Sequence, residues 1–175
     1  MTPSETELKD AIYEASKKAI SELFNKHPGN FYYCALITTG EAHPPFISAW
    51  SKETLKNAAT TEEERNELKW SYADSPYCCY GEEYFFEVKE LFSKRPEMSS
   101  DLSEDEWNAE FNVRLNAMEA AIANLDEEGI FGKGEIRNNI VINVEVMPPD
   151  STNTERAKRL NPLKAIETWL FQAAE

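Results

Sequence analysis

The sequence predicts an α+β domain in which a small, mostly antiparallel sheet of about three or four strands is packed by six or seven helices. Two stretches support this class. Between 136 and 147, branched aliphatic residues recur at every second position, which is typical of a strand. Between 103 and 129, apolar residues recur three or four positions apart, which predicts a long amphipathic helix. A chain of 175 residues suits a single globular domain over 1–175.

Two more strands are predicted at 31–39 and 46–50, where β-branched and aromatic residues are concentrated. The connection through Gly40 and Pro44-Pro45 is too short for a crossover helix, so these strands should pair antiparallel. The main strand is expected over 137–147, and the segment 77–80 is compatible with either an edge strand or a loop.

Local signals place the helices. A Ser or Thr followed three residues later by Glu, the capping box, is found at Ser4, Thr61, Ser103 and Thr152. Together with the caps at Ser51 and Asn161-Pro162, these signals predict helices near 4–27, 51–59, 61–70, 82–94, 103–129, 152–160 and from 161 onwards.

The main strand has two different faces. Ile140, Ile142, Val144 and Val146 fall on one side, which should be buried, whereas Val141, Asn143, Glu145 and Met147 fall on the other. We expect Asn143 and Glu145 to lie on a wetter face, where a site could be built.

The net charge of −14 limits the function classes. It disfavours nucleic-acid binding, which needs clustered Lys and Arg, and it favours a basic protein partner, although solubility alone would also explain it. The start of the chain lacks the regions of a signal peptide, and no apolar run reaches the roughly 20 residues that span a bilayer. We therefore expect a cytoplasmic protein without a membrane role.

Metal and cofactor sites are not expected. Cys34, Cys78 and Cys79 with His27 and His43 lack zinc-ligand spacing and are best interpreted as reduced thiols that fill apolar space. The loop 132–134 precedes a strand, whereas phosphate-binding loops follow one. No catalytic residue, metal or cofactor is predicted.

Candidate binding residues lie beside turns and strand ends. The predicted surface consists of Trp50, Trp70, Asp74, Arg137, Asp150 and Arg156. The alternative is that these side chains form intramolecular salt bridges that tie the turns to the sheet. The ten acids between 97 and 128 suggest either an acidic docking face or merely the solvated side of the long helix.

Four segments resemble one bacterial family. They are F-Y-Y-C-A-L-I-T-T-G at 31–40, I-S-A-W-S at 47–51, L-K-W-S-Y-A-D-S-P-Y at 68–77, and the run from Gly129 through R-L-N-P at 159–162. Together they are similar to domain-of-unknown-function family 4303. The resemblance implies a bacterial cytoplasmic protein of this length and supplies no catalytic residues. Some uncharacterised families of this size occur beside secreted toxins as immunity proteins, which neutralise those toxins, and this chain could be analogous to them.

Three functions follow as hypotheses. The first is a non-enzymatic protein-binding module for a basic partner, such as an immunity protein that masks a toxin. The second is a small-molecule-binding protein or enzyme with a carboxylate and arginine pocket made from Asp74, Glu145, Asp150 and Arg137. The third is a structural subunit of an oligomer, since the sequence leaves the oligomeric state open.

Overall fold

The structure, a computed structural model, describes residues 1–175 and confirms the α+β class, with 55% of residues helical and 13% in strands. The strands are β1 (Phe31–Thr39), β2 (Phe46–Ser51) and β3 (Val141–Met147). The helices are α1 (Glu5–Lys26), α2 (Lys52–Ala58), α3 (Glu62–Leu68), α4 (Phe86–Ser93), α5 (Glu104–Glu128), α6 (Ser151–Leu160) and α7 (Leu163–Gln172). Short 3₁₀ turns cover Glu82–Phe85 and Ile136–Asn139. No helix combines the length and the apolar character needed to cross a membrane.

The sheet has the order β2-β1-β3. β1 pairs antiparallel with β2, as the short connection predicts, and parallel with β3. Cys34 therefore lies opposite Ala49 on one side and Ile142 on the other. β2 brings the chain back to the end of the sheet where β1 begins, since Ser51 lies opposite Phe31. From there α2 to α5 carry the chain across to the other edge, where β3 starts parallel to β1.

The first face of the sheet holds the main core. Cys34, Leu36, Ile142 and Val144 point into a cluster built with α1, α4 and α5. The long helix α5 begins with the predicted Ser103 and Glu106 capping box and ends at Gly129, whose φ of 90° is left-handed. β3 and α5 thus pack together in the main core.

The second face is also covered, and this corrects the expectation of a wet surface. α6 and α7 pack Ala157, Ile166 and Trp169 against Val141, while Trp50 and Leu55 pack beside Tyr33. Asn143 is completely buried and Glu145 is 6% exposed. Both polar residues of β3 are therefore inside the protein, where they need partners.

Three local predictions are wrong, two of them because a tertiary contact overrides a local signal and one because a neighbouring residue is the cap. β3 begins at Val141 because 136–139 coils into a 3₁₀ turn that carries Arg137 inward. Asp150, not Thr152, caps α6. Asn161 does not cap α7, because its side chain bonds the backbone N–H and carbonyl of Ile142.

Two further details complete the comparison. The segment 77–80 is a loop without strand pairing. Trp107, in the first turn of the long helix, is only half-buried and stacks on Phe111 with ring centroids 4.8 Å apart.

Candidate functional site

The most unusual chemical feature is a buried carboxylate near the carboxyl end of β3. The Tyr33 hydroxyl of β1 donates to Glu145 Oε2 at 2.9 Å, and Asn143 Nδ2 donates to Glu145 Oε1 at 3.4 Å. None of the ion pairs in the structure includes Glu145. A charged group placed this way is costly, because burial removes its hydration and no cation replaces it.

Burial controls the protonation of this group. Loss of water around the carboxyl raises the pKa of Glu145 to about 7, although the bonds from Tyr33 and Asn143 and the field of Arg156 act in the opposite direction. The nearby charge of Glu175 adds to the rise of the pKa. Glu145 therefore changes its protonation state near neutral pH, which structural carboxylates on a surface do not.

Asn143 has one unsatisfied atom. Its Nδ2 donates to the backbone carbonyl of Asn153 at 3.2 Å as well as to Glu145, but its Oδ1 is fully buried without a partner. Because both neighbours of Nδ2 are acceptors, this orientation of the amide is the one the surroundings favour. The cluster of Tyr33, Asn143 and Glu145 is thus rich in acceptors and short of donors.

A cavity of about 250 Å³ reaches this cluster. We call it the Glu145 pocket; it is lined by Trp70, Glu145, Met147, Pro149, Asn153, Trp169, Ala173 and Glu175. The charged lining residues are two carboxylates, and no Lys or Arg lines the pocket. Trp70 is fixed by a hydrogen bond from its Nε1 to Gln172 Oε1 at 3.0 Å, so this wall is well ordered.

A larger cleft of about 530 Å³ lies at the opposite, amino ends of β1 and β3. Its walls include Phe24, Phe31 and Phe131, and its one charged residue is Lys52. It lacks a buried titratable group, so we regard the smaller Glu145 pocket as the better candidate site.

The six predicted binding residues fall into four places. Trp70 lines the Glu145 pocket, and Arg156 lies beside it, donating to the Val144 carbonyl at 2.8 Å and to Asn153. Trp50 and Asp74 meet at Ser71, where Trp50 Nε1 donates to the Ser71 carbonyl at 2.7 Å and Asp74 accepts from the Ser71 hydroxyl.

The other two residues serve local structure. Arg137 lies before β3, far along the strand from Glu145, and is held by Asp126 and by the carbonyls of Ile140 and Leu160. Asp150 accepts from the Thr152 backbone N–H as the cap of α6. Of the four residues expected to form a carboxylate and arginine pocket, only Glu145 therefore lines the pocket that the structure contains.

The alternation of β3 identifies Asn143 and Glu145 in the sequence. It does not identify Tyr33 or Trp169, since neither the parallel pairing of β1 with β3 nor the docking of α7 has a local signal. No group of three or more His, Cys, Asp or Glu side chains is arranged to hold a metal ion.

Many acids in the 97–128 stretch already have internal partners. Glu110 pairs with Arg95 and Arg114, Glu119 with Arg159, Asp126 with Arg137, and Glu128 with Lys17. Such acids are less available to a partner protein than unpaired ones.

Another group of acids lies between α1 and α4, and only Asp10 among them forms an ion pair. A groove of about 290 Å³, which we call the α1–α4 groove, is lined by Glu7, Asp10, Ala11, Glu14, Glu87 and Leu91. Phe86, 69% exposed, lies beside it on α4, with Glu82, Glu83 and Lys89 around its ring. The sequence does not single out this face, because its acids come from two distant segments.

The fold defines a class of α+β domain in which helices cover both faces of a three-stranded sheet. The chain belongs to the family described as Domain of unknown function (DUF4303), whose model matches residues 12–162. No curated protein and no solved structure gives a significant match to the chain.

Proposed function

We propose that this chain is a non-enzymatic protein-binding module whose α1–α4 groove docks a basic segment of a partner protein. The observation that supports this is the groove itself, where four carboxylates line one surface next to an exposed aromatic ring. An immunity protein that masks a basic toxin in the bacterial cytoplasm is the form of this function that we propose.

The charge of the groove favours a cation-rich partner. Glu14 and Glu87 line it without any ion pair, and Asp10 pairs only with its neighbour Lys9 at 2.8 Å. The overall charge of −14 extends the same negative potential beyond the groove. Such a field accelerates association with basic proteins and repels acidic ones.

The exposed ring supplies an apolar anchor. At 3.6 residues per turn, Phe86, Glu90, Glu87 and Leu91 follow one another within an arc of about 140° around α4. The aromatic ring and the acids therefore form one continuous surface. Aromatic anchors surrounded by polar groups are common at the centres of protein interfaces.

A fluorescent amphipathic peptide of lysine and leucine is a suitable probe. We expect it to bind, and we expect the affinity to fall as NaCl is added, because exposed charges are screened. The triple variant Glu83→Lys, Glu87→Lys, Glu90→Lys should weaken binding at least about 10-fold, as measured by fluorescence anisotropy.

A charge-matched control distinguishes the groove from the overall charge. Glu67→Lys, Glu127→Lys and Glu167→Lys change the net charge equally on other exposed positions of α3, α5 and α7. The proposal requires this control to bind nearly as the unmodified protein does, and equal weakening of both variants would contradict it. Phe86→Ser should weaken binding at least about 10-fold at every salt concentration, because burial of the ring contributes about 1.5–3 kcal/mol.

A second function, small-molecule binding, is favoured by a separate observation. Glu145 is 6% exposed, lines a cavity and forms no ion pair within the fold. A ligand that supplies the missing charge would explain why a carboxylate is kept there.

A further inference from the structure

The Glu145 pocket has the composition of a cation site. Its two charged groups, Glu145 and Glu175, are both acids, and its two largest walls are the indoles of Trp70 and Trp169. Carboxylates attract cations directly, and the π-system of an indole attracts a cation that lies over its face, as the Lys69 ammonium does 5.1 Å from the centroid of the Trp70 ring. An anion in the same cavity would be repelled by both acids.

The carboxylate has bonding capacity left over. An ionised carboxylate can accept about four hydrogen bonds, and Glu145 accepts two, one of them a long bond of 3.4 Å from Asn143. Arg156 does not use the remaining capacity, because it donates to the Val144 carbonyl and to Asn153. A hydrogen-bond donor that enters the cavity could therefore bond to the Glu145 carboxylate at the buried end of the cavity.

The size of the pocket restricts the ligand. A volume of about 250 Å³ corresponds to roughly eight water molecules at about 30 Å³ each, and it lies below the range of about 300–1,000 Å³ for larger ligands. Met147, Pro149 and Ala173 provide apolar wall for a short alkyl chain. The fit is to a small amine with a few carbon atoms.

We infer that the Glu145 pocket binds the ammonium group of a small alkylamine, with Glu145 as its counter-ion and Trp70 and Trp169 as walls of the cavity. This inference is independent of the α1–α4 groove, which lies on the other side of the sheet. A butylammonium group is an alkylamine of this kind, and it occurs both in free amines and in lysine side chains. The experiment below distinguishes these two sources.

Binding should depend on pH in a defined direction. The groups that face Glu145 are Tyr33 on β1, Asn143 on β3, Arg156 on α6 and Glu175 at the chain end. A cation selects the ionised form of Glu145, so affinity should increase as pH rises through about 7, while the amine itself stays protonated to about pH 10. From pH 8 to pH 5.5 the ionised fraction falls by roughly 30-fold, and affinity should fall comparably.

The test is a titration of the full chain with n-butylamine hydrochloride, followed by calorimetry and by tryptophan fluorescence. The uncharged n-butanol has nearly the same shape and should not bind. N-acetyl-lysine amide carries the same group on a peptide backbone. Binding of the free amine alone would indicate a small metabolite, and binding of both would extend the site to lysine side chains.

The variant Glu145→Gln keeps the shape and removes the charge. We expect it to lose at least about 10-fold in affinity for butylamine and to lose the pH dependence, whereas the remote Glu63→Gln should change neither. Trp70→Leu should also weaken binding, and thermal melts would verify that each variant is folded.

Absence of butylamine binding to the unmodified chain at pH 8 would overturn the inference, and so would equal binding of butanol or unchanged binding by Glu145→Gln. Since peptide docking at the α1–α4 groove does not involve Glu145, the lysine–leucine peptide can still bind in that case. Failure here is thus distinguishable from failure of the proposed function.

Discussion

Replacement of Glu145 by Gln should change the pH dependence of stability in a way that measures the cost of the buried carboxylate. The folded-state pKa of Glu145 is about 7, above the ordinary value of 4.5, because burial disfavours the charge. The folded state therefore holds a proton more tightly than the unfolded state. Stability due to this group is greatest in acid and is lost as pH rises from about 4.5 to about 7.

The magnitude follows from the two pKa values. Between pH 5 and pH 8, ionisation of Glu145 should cost the folded protein about 2.5 kcal/mol, and Gln, which does not titrate, avoids this cost. The difference in unfolding free energy between Glu145→Gln and the unmodified chain should therefore shift by about 2.5 kcal/mol in favour of the variant over that range. Other carboxylates cancel in this comparison, because both proteins contain them.

Urea unfolding followed by circular dichroism at pH 5 and pH 8 provides the assay. Unfolding must be reversible and two-state for both proteins, with equal denaturant slopes. A difference between variant and unmodified chain that is the same at both pH values would refute the argument. So would a difference that favours the variant more strongly in acid.

Two further substitutions test the buried polar contacts that hold the elements together. Asn161→Ala removes hydrogen bonds to the N–H and carbonyl of Ile142 and to the carbonyl of Ala157. It should lower the free energy of unfolding in urea by about 2–3 kcal/mol, because buried backbone groups lose their partner. A loss below about 0.5 kcal/mol would contradict this. Glu110→Gln leaves the charges of Arg95 and Arg114 uncompensated between α4 and α5, and should lower the free energy of unfolding by about 3–5 kcal/mol. A near-neutral result by the same measurement would show that these ion pairs contribute little to stability.

Much of the local structure could be predicted because its causes lie within a few residues. The Ser4 and Glu7 capping box begins α1, and the Ser103 and Glu106 box begins α5, since each satisfies free N–H groups of its own helix. The strand at 31–39 has the predicted bounds, because its run of aromatic and branched residues is apolar on both sides.

Where a local prediction failed, the side chain bonds to a group from a distant part of the chain instead of acting within its own segment. Asn161 is a good cap by type, but the backbone of β3 offers its side chain two bonds at once. Arg137 suits an extended strand equally well, but Asp126 of α5 and the Leu160 carbonyl of α6 hold its guanidinium, and residues 136–139 form a 3₁₀ turn. Neither competitor is visible in the neighbouring sequence, because each comes from another element.

The class of fold, the positions of the helices and the alternation that sets Asn143 and Glu145 on one side of β3 could be predicted, since these depend on spacing within a segment. The burial of this side, the 2.9 Å bond from Tyr33 to Glu145 and the two tryptophans in the walls of the cavity could not. Contacts between segments depend on strand order and helix docking, which are set by the sum of many packing energies across the whole chain.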